Sequence, residues 1–558
     1  MNIIDLMLIG QSEVVNYEDY AKLPLDRLPL YKNLIYPRMV HYQNGFRSHL
    51  DVINKLRSGK FWTEGLSSER RKLLSIWNLT GFVGPHLANY LRDFGINTHV
   101  INNFDAEWDI FCKVYDACDP KPLVGISTTF YLNYVEIGRL SKMMRAKYPD
   151  IEIVLGGAFI NGEMHKNNPA ALTKAMKKFG VKYAVHSFNS EFDLKDMILA
   201  HRKGGSLDPV NNLIYSVGDN GSTTYNVTKS VWNNPLINNV PNHWDDLDLS
   251  FVNHTVQIRT ASGCPFSCAF CSYPETAGGH YAMPVEEVEQ QLQTILKRKN
   301  VKNIIFLDDT FNVPLRRFKE LCTMFSKYDF EWFSFLRVQY IDEEVAKLMK
   351  DSGCRGVYLG VESSDDQVLR NMHKQASRAG FERGIKLLNK YDITMMVAFV
   401  VGFPGETEQT LRGNIEFVEN NGIQFYSLKE FYYMENTSVH RDREKFGLTG
   451  MGNNWQHNTM SSVEASAHKL EMFRTIKSVS IDPDTSLWYL AYLYDQGFTM
   501  QEIADLQSDI NQLMIDQMDG DFRDHNPIYG RLFEKLKKYG RSIASPKGKD
   551  LMLNTSSV

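Results

Sequence analysis

The stretch Gly263-Cys264-Pro265-Phe266-Ser267-Cys268-Ala269-Phe270-Cys271 constrains this chain more than any other. Three of its seven cysteines stand there, separated by three and then two residues. Four thiolates saturate a cubane iron–sulfur cluster. Three thiolates close in sequence hold three irons and leave the fourth open to a chelating small molecule. Gly263 and Pro265 shape a backbone tight enough for the sulfurs to converge. The competing reading is a structural zinc site, which needs four ligands and has His280 as the nearest candidate for the fourth.

The rest of the composition limits the partners. At 558 residues the chain has room for about three or four domains, each with its own core. A formal charge of −4 gives no electrostatic footing for nucleic acid or an acidic membrane surface. No apolar run reaches the roughly 18 residues of a membrane span. The opening MNIIDLMLIGQSEVV lacks a basic n-region, so it reads as a strand and not a signal peptide. The expected location is a reducing cytoplasm, where thiolates bind metal and seldom form disulfides.

The first 250 residues follow an α/β pattern. Ile3 to Ile9 reads as a strand, followed by an aromatic-rich stretch to about Trp62, so residues 1–69 form an N-terminal extension. From 70 to 205, strand and helix alternate. Leu73 to Leu79 is an apolar strand, residues 80–86 with Gly81, Gly84 and His86 are a Gly-rich turn, and Leu87 to Phe94 is a helix. Strands follow at Thr98 to Ile101, at Leu123 to Thr129 with Ser127 and Thr128 near its end, and at Ile151 to Ala158 with Gly156 and Gly157. A helix from Asn133 to Ala146 separates the last two. This order predicts a doubly wound parallel sheet with ligand-facing turns at the strand ends. His86 either meets a ligand there or serves the following helix. Residues 206–250, rich in Gly, Asn and Pro, read as a linker carrying a small hairpin, Leu213 to Val217 and Thr223 to Val227.

Between 251 and 439 strand and helix alternate six times. The strands run Val256 to Thr260, Ile304 to Leu307, Trp332 to Val338, Gly356 to Val361, Thr394 to Val401 and Ile423 to Phe431. Asp308, Asp309, Arg337, Glu362 and Ser363 fall at their C-terminal ends, where a partial parallel barrel carries its functional groups. Asp308 and Asp309 either cap the next helix or meet a ligand, and Glu362, after an apolar strand, needs a partner to stay ionised. Gly402 to Thr407 reads as a tight turn, with Thr407 available to cap a helix. Residues 440–558 read as a helical cap, with helices over Val463 to Val479, Ser486 to Gln496, Thr499 to Met518 and Ile528 to Lys538. The aromatic run Ser486 to Tyr494 is either core or the lining of a substrate pocket. Ser545 to Val558 reads as a frayed tail.

At the cysteine loop the chain resembles radical S-adenosylmethionine (SAM) enzymes. Residues 70 to 200, with GxxGP, Ser-Thr-Thr and Leu-Gly-Gly-Ala at successive turns, resemble the cobalamin-binding domain that precedes the radical SAM domain in one large subgroup. The resemblance implies an α/β fold: an N-terminal doubly wound parallel-sheet cobalamin-binding domain, a central partial (β/α)6 radical SAM barrel and a C-terminal helical cap. It implies a 4Fe–4S cluster on Cys264, Cys268 and Cys271. It places SAM against one of Asp308 and Asp309, against Arg337, and against Glu362 and Ser363. Cobalamin would lie among Gly81, Gly84, His86, Ser127, Thr128, Gly156 and Gly157. Two departures stand out. Residues 185–191 replace a GEGE-like turn, and no Asp-x-His-x-x-Gly motif offers cobalt a histidine.

The reaction so implied is transfer of a methyl group from methylcobalamin to an unactivated centre of a small molecule, after a 5′-deoxyadenosyl radical forms from SAM. The layout is similar to PhpK-type P-methyltransferases, which methylate phosphinate phosphorus, and to their tryptophan-methylating relatives. An anionic phosphinate needs cations at the barrel mouth, for which Lys429 and Arg441 are candidates. A flavodoxin- or ferredoxin-type electron donor is the implied protein partner. Rearrangement or cyclisation without methyl transfer, methylation of carbon in an amino acid or peptide, and a non-enzymatic cofactor carrier remain as alternatives. A methylthiotransferase would need a second cysteine cluster, for which Cys112 and Cys118 are too few.

Overall fold

The computed structural model describes residues 3–14, 35–166, 169–218, 223–235, 243–244, 247, 250–481 and 486–539. Two sheets of seven strands dominate these residues. The first contains β1 (Leu6–Gln11), β2 (Thr98–Asn103), β3 (Leu123–Ser127), β4 (Ile153–Gly156), β5 (Tyr183–Val185), β6 (Leu213–Val217) and β7 (Thr224–Val227) in the order β2-β1-β3-β4-β5-β6-β7. β1 to β5 are parallel and β1 is buried along its whole length. A parallel strand covered on both faces has no solvent side, so LMLIGQ reads as a continuous apolar run closed by one polar residue. Separate clusters of buried side chains cover the two faces, as doubly wound connections require.

Four details differ from the sequence expectation. Leu73 to Leu79 is not a strand: its centre is a 3-10 turn, Ile76–Asn78, outside the sheet. The Gln11 amide donates to the carbonyls of Trp77 (2.8 Å) and Leu79 (2.6 Å), so a side chain takes the place of a ladder. The turn before the first helix is shorter than expected, because that helix begins at Val83 and contains Gly84 and His86. A Cβ at Gly84 would lie 2.5 Å from Val100 Cγ1, so the glycine lets the helix close on β2. Helices at Trp108–Ala117, Ala158–His165, Pro169–Phe179 and Glu191–Arg202 had no counterpart in the reading. Finally, the hairpin β6–β7 pairs with β5 antiparallel and extends the first sheet.

The second sheet holds β8 (Thr255–Ile258), β9 (Asn303–Phe306), β10 (Glu331–Leu336), β11 (Cys354–Glu362), β12 (Thr394–Val401), β13 (Phe425–Glu430) and β14 (Val479–Ser480), all parallel and in sequence order. The first six match the expected strands, and β14 is a short seventh. Period-two alternation sorts their side chains. Ile304, Phe306, Trp332, Val357 and Leu359 join the cluster under the outer helices. Ile305, Phe333, Met396 and Phe425 face inward, into a second cluster shared with the C-terminal helices.

Those helices do more than cap. With α1 (His49–Ser58), α2 (Val83–Arg92) and α3 (Glu191–Arg202) earlier in the chain, they are α4 (Ser486–Asp495), α5 (Met500–Met518) and α6 (Pro527–Lys538). α4 packs on β8, β10 and β11 from inside the barrel, and α1 packs on α6. Residues 35–79 therefore fold with the C-terminal helices and not with the first sheet alone. A three-stranded sheet, Thr449–Met451, Asn454–His457 and Met460–Ser461, occupies a segment that reads as merely polar. The tail Ser545–Val558 and residues 15–34 of the aromatic-rich stretch lie outside the described residues.

Gln517 pins the two ends of the chain together. Its buried amide donates to the carbonyls of Tyr36 (2.8 Å) and Met39 (2.6 Å) and accepts from His41 N (3.0 Å). Gln517→Ala leaves two buried carbonyls and one N–H without partners, and is expected to destabilise this region by about 3 kcal/mol. Urea titration with hydrogen exchange at residues 36–41 measures the loss.

Candidate functional site

The three cysteines follow β8 in a loop whose backbone is tied to its neighbours. Cys271 N donates to Cys268 O (3.0 Å), Ala269 N to Met372 O (2.8 Å) and Val439 N to Ala269 O (2.9 Å). Gly263 has φ +78°, and a Cβ there would run into the Gly279 carbonyl. All three thiols are free. Burial raises the Cys264 thiol and lifts Cys271 to about 11, so metal binding has to displace protons there.

Arg337, at the end of β10, is the loop's cation. Its Nη2 donates to Cys268 Sγ (3.0 Å), its Nη1 to Lys374 O (2.9 Å), and the guanidinium lies 3.5 Å from the centre of the Phe266 ring. Asn312 fixes its backbone by bonding both its N–H and its carbonyl. A buried cation beside a sulfur complements the charge that sulfur would carry once it holds metal. Among the described residues no three His, Cys, Asp or Glu side chains converge on one ion position. In a cubane each thiolate holds its own iron, so free thiols, a held-open loop and a cation on one sulfur fit a cluster.

The paired aspartates take different roles. Asp308 accepts from Thr260 N (2.6 Å) and Thr260 Oγ1 (2.5 Å), tying β9 to β8 away from the chamber. Asp309 follows Ile305 and Leu307 on the inner face, open to the chamber and bonded to the Tyr273 hydroxyl. Surrounding protein withholds water from its carboxyl and, with Asp308 nearby, raises it to about 6 against the pull of Tyr273 and Arg259. Glu362 also faces inward. It sits at φ +66° in a bulge of β11 and pairs with the buried Lys374 at 2.9 Å. Gly360 makes room for that pair, since a Cβ there would meet Glu362 Oε1. Ser363 is fully buried and turns back to accept from Asp365 N at 3.3 Å.

In the Gly402–Thr407 turn, Glu406 accepts from Gly402 N (2.6 Å) and Phe403 N (3.2 Å), and Thr407 caps the helix Glu408–Asn420. Burial outweighs those donors and raises the Glu406 carboxyl to about 8.

A cavity lies in the first sheet, where the strand order reverses between β1 and β3. It encloses about 980 Å³ counted out to open solvent. His86, Ser127, Gly156 and Gly157 line it; Gly81, Gly84 and Thr128 do not. Gly81 N instead bonds Asn102 Oδ1, and Thr128 is spent on the Gly156 carbonyl through both its N–H and its hydroxyl. His86 neither faces a ligand alone nor caps α2. Its Nε2 bonds Glu191 Oε1 (2.9 Å), and its ring stacks on Phe82.

Sequence reasoning missed Phe82, Thr129, Glu191 and Arg259 in this lining. Arg259 was within reach, because it follows Gln257 on the inner register of β8. Its guanidinium lies 3.9 Å from Glu191 Oε1 and 5.4 Å from the Phe82 ring, and it also acts on Asp309. Burial works to raise the Glu191 carboxyl, but His86 and Arg259 hold it below the usual range. Arg259 thus stands between the cavity and the cysteine side. Arg441, by contrast, pairs with Glu275 at the surface (2.8 Å).

Residues 258–418 match the family model described as the radical SAM superfamily. An uncharacterized methyltransferase of Pyrococcus horikoshii is 27% identical over 369 residues, covering 63% of this chain and 76% of that protein. The radical S-adenosylmethionine methyltransferase TsrM of Kitasatospora setae, solved with tryptophan substrate and the SAM analog aza-SAM, aligns with a TM-score of 0.52 at 15% identity, over 82% of this chain and 97% of that one. TsrM with cobalamin and a 4Fe–4S cluster bound aligns with a TM-score of 0.50 at 16% identity, over 79% and 75%. The fold expected from the sequence, a Rossmann-like parallel sheet followed by a partial radical SAM barrel, is the fold observed. No helix of the described residues is long and apolar enough to cross a membrane.

Two outcomes test this geometry. Gly263→Ala is expected to lower the iron bound after anaerobic reconstitution at least several-fold, read by iron and sulfide analysis, because the new Cβ displaces the loop. Glu406 binds its proton up to about pH 8 when folded but releases it near 4.5 when unfolded. Its contribution to stability is therefore complete below 4.5 and is lost as pH rises towards 8. Glu406→Gln should melt with a flatter pH dependence than wild type between about pH 5 and pH 8.

Proposed function

We propose that this chain is a cobalamin-dependent radical SAM methyltransferase that methylates an unactivated centre of a small molecule in the cytoplasm, supplied with electrons by a flavodoxin- or ferredoxin-type partner. The observation that carries the reading is the meeting of two sites at Arg259. Arg259 lines the switch-point cavity of the first sheet and also acts on Asp309, the carboxylate at the end of β9 on the cysteine side. The TsrM structures bind a cluster, cobalamin and a SAM analog, and the corresponding sites here have suitable chemistry.

Cys264, Cys268 and Cys271 would hold the cluster, and the cavity around Ser127, Gly156 and Gly157 would hold cobalamin. When bound, the reduced cluster supplies the electron that cleaves SAM to methionine and a 5′-deoxyadenosyl radical, and methylcobalamin supplies the methyl group. The chain's own residues position and shield. Arg337 stabilises the thiolate of Cys268 and closes the loop over Phe266. Asp309 would present its carboxylate to the amino group of SAM, with Glu362 and Ser363 beside it, while Asp308 ties the strand end that carries Asp309 to Thr260. Arg259, balanced by Glu191, puts a positive charge between the two cofactor sites. A general base is not needed, since the first step removes a hydrogen atom; exclusion of water and oxygen matters more.

The test is anaerobic reconstitution with dithionite and labelled SAM. Methyl transfer yields both 5′-deoxyadenosine and S-adenosylhomocysteine, whereas rearrangement or cyclisation yields no methylated product. Cys268→Ala should abolish SAM cleavage. Arg337→Gln should retain iron yet slow reductive cleavage by about tenfold or more, since one charge-assisted hydrogen bond to sulfur is lost. Zinc in place of iron, or no affinity for cobalamin, would overturn the proposal.

A further inference from the structure

Two helices on one face of the first sheet carry charge of nearly one sign. Val135–Lys147 has four lysines and arginines, Pro169–Phe179 has three lysines, and the only carboxylate in either is Glu136. The whole chain has more acids than bases, 66 against 62, so this face departs from its surroundings. Glu136 is buried and pairs with Arg139 at 2.7 Å. On the opposite face of the sheet, α3 mixes Glu191, Asp193 and Asp196 with Lys195 and Arg202.

The two basic helices leave a groove between them. Ser141 Oγ donates to the Phe179 carbonyl (2.6 Å), and Gly138 lets the helices close, since a Cβ there would lie 2.7 Å from the Phe179 ring. The groove encloses about 1490 Å³ counted out to open solvent; Arg139, Lys142, Arg145, Lys177 and Lys178 line it, and no carboxylate does. Arg139 is committed to Asp105 and Glu136, and Arg145 to the carbonyls of Pro149 (2.7 Å) and Ile151 (3.0 Å). The three lysines make no ion pair among the described residues. Lys177 donates to the Thr223 carbonyl (3.1 Å), and Lys178 lies 5.4 Å from the centre of the Phe179 ring.

Apolar surface adjoins the groove. Between β3 and the first basic helix, Leu132 is 87% exposed, Val135 60% and Phe130 40%, and Trp77 stands edge-on to Phe130 at 5.2 Å. Val135 also lines the groove, so the apolar and basic surfaces are continuous. Contiguous apolar side chains beside charge of one sign have the make-up of a protein interface, with an apolar centre and a charged rim. The helix of 13 residues makes the groove about 20 Å long, more than a small anion fills, and its concave floor does not fit a flat bilayer. The same loop begins at Thr129, which lines the switch-point cavity and bonds Ser127 there (3.1 Å). A partner seated on loop and groove therefore stands at the wall of that cavity.

We infer that loop and groove form the docking face of an acidic protein that carries a one-electron centre, and that this carrier reduces the cobalt of cobalamin held in the cavity. The step moves one electron: the carrier's reduced flavin or iron–sulfur centre is oxidised by one equivalent, and Co(II) is reduced to Co(I). Lysines facing acidic side chains speed encounter and fix orientation, while the apolar loop supplies the contact that excludes water. The inference rests on the proposed function for the identity of the cavity's occupant.

The test uses the anaerobic enzyme loaded with cluster and cob(II)alamin, with flavodoxin as the carrier and SAM present to draw the reduction forward. Calorimetry with oxidised flavodoxin reads docking, and corrin absorbance after mixing with reduced flavodoxin reads arrival of the electron. The triple variant Lys142→Glu, Lys177→Glu, Lys178→Glu is expected to weaken binding and raise the half-saturating flavodoxin concentration at least about tenfold, with the salt dependence of wild type lost. Leu132→Ser, an exposed change that leaves the charges in place, should weaken docking about fivefold and keep the salt dependence. Titanium(III) citrate, a small reductant that needs no docking face, should reduce the corrin of both variants at the wild-type rate. Flavodoxin binding and corrin reduction indifferent to both variants would overturn the inference. So would binding of phosphatidylglycerol vesicles or an RNA oligomer to this face as tightly as flavodoxin. An enzyme that takes up no cobalamin, or cleaves no SAM with dithionite, sinks the proposed function instead, and calorimetry on that same sample still reads the docking face.

Discussion

Strands of the second sheet must satisfy two environments at once. Their outer side chains meet helices, and their inner side chains meet each other across the barrel, so residues two apart share a fate. Ile304 and Phe306 belong to the outer core, Ile305 and Leu307 to the inner wall, and that register carries on past the strand end. It turns Asp308 towards Thr260 and leaves Asp309 in the chamber. The same count brings Arg259, Arg337, Glu362 and Lys429 to one rim. The polar groups at the strand ends descend from this alternation, and a one-residue slip would exchange core for rim in each strand.

The rim would be costly if its charges stood alone. A buried ion needs a partner to remain ionised. Glu362 has Lys374, Glu191 has His86 and Arg259, and Arg337 has a sulfur that becomes negative when it binds metal. Asp309, its carboxyl shielded from water and a second carboxylate close by, instead has that carboxyl raised to about 6 despite the bond to Tyr273. Such a pattern sets groups completed within the protein apart from groups left for a ligand. It separates Asp308, whose hydrogen bonds are internal, from Asp309, although the two are adjacent in the chain.

The C-terminal helices explain how a partial barrel holds a floor. An open sheet of seven strands would expose its inner face; α4 fills the lower half with side chains and stops at the level of Trp488. The contact is three-sided, since Gln257 belongs to the barrel, Thr80 to the segment before α2, and Trp488 to the cap. Residues 35–79 lie against the same helices through Gln517 and the Tyr492 hydroxyl, which accepts from Ser75 N at 3.1 Å. The beginning and end of the chain thus close one wall together.

Much of this was legible in order along the chain. The spacing of Cys264, Cys268 and Cys271, six apolar strands with polar ends, and the parallel alternation of the first sheet depend on short-range pattern, and each was read from it. Leu73 to Leu79 misled because an apolar run reads alike whether a neighbouring strand or a glutamine amide takes up its carbonyls. His86 could be placed in a ligand-facing segment, but its bond to Glu191 spans 105 positions, and local pattern holds no record of it. The place of Arg259 between the cavity lining and Asp309, and the inward aromatic layer, likewise arise only when elements distant in sequence are packed together. Side-chain type and period are properties of neighbouring residues, whereas partnership is a property of three-dimensional packing. The chemistry on offer was therefore written in the sequence, and the tertiary structure decided which groups were spent on the protein and which were left for a ligand.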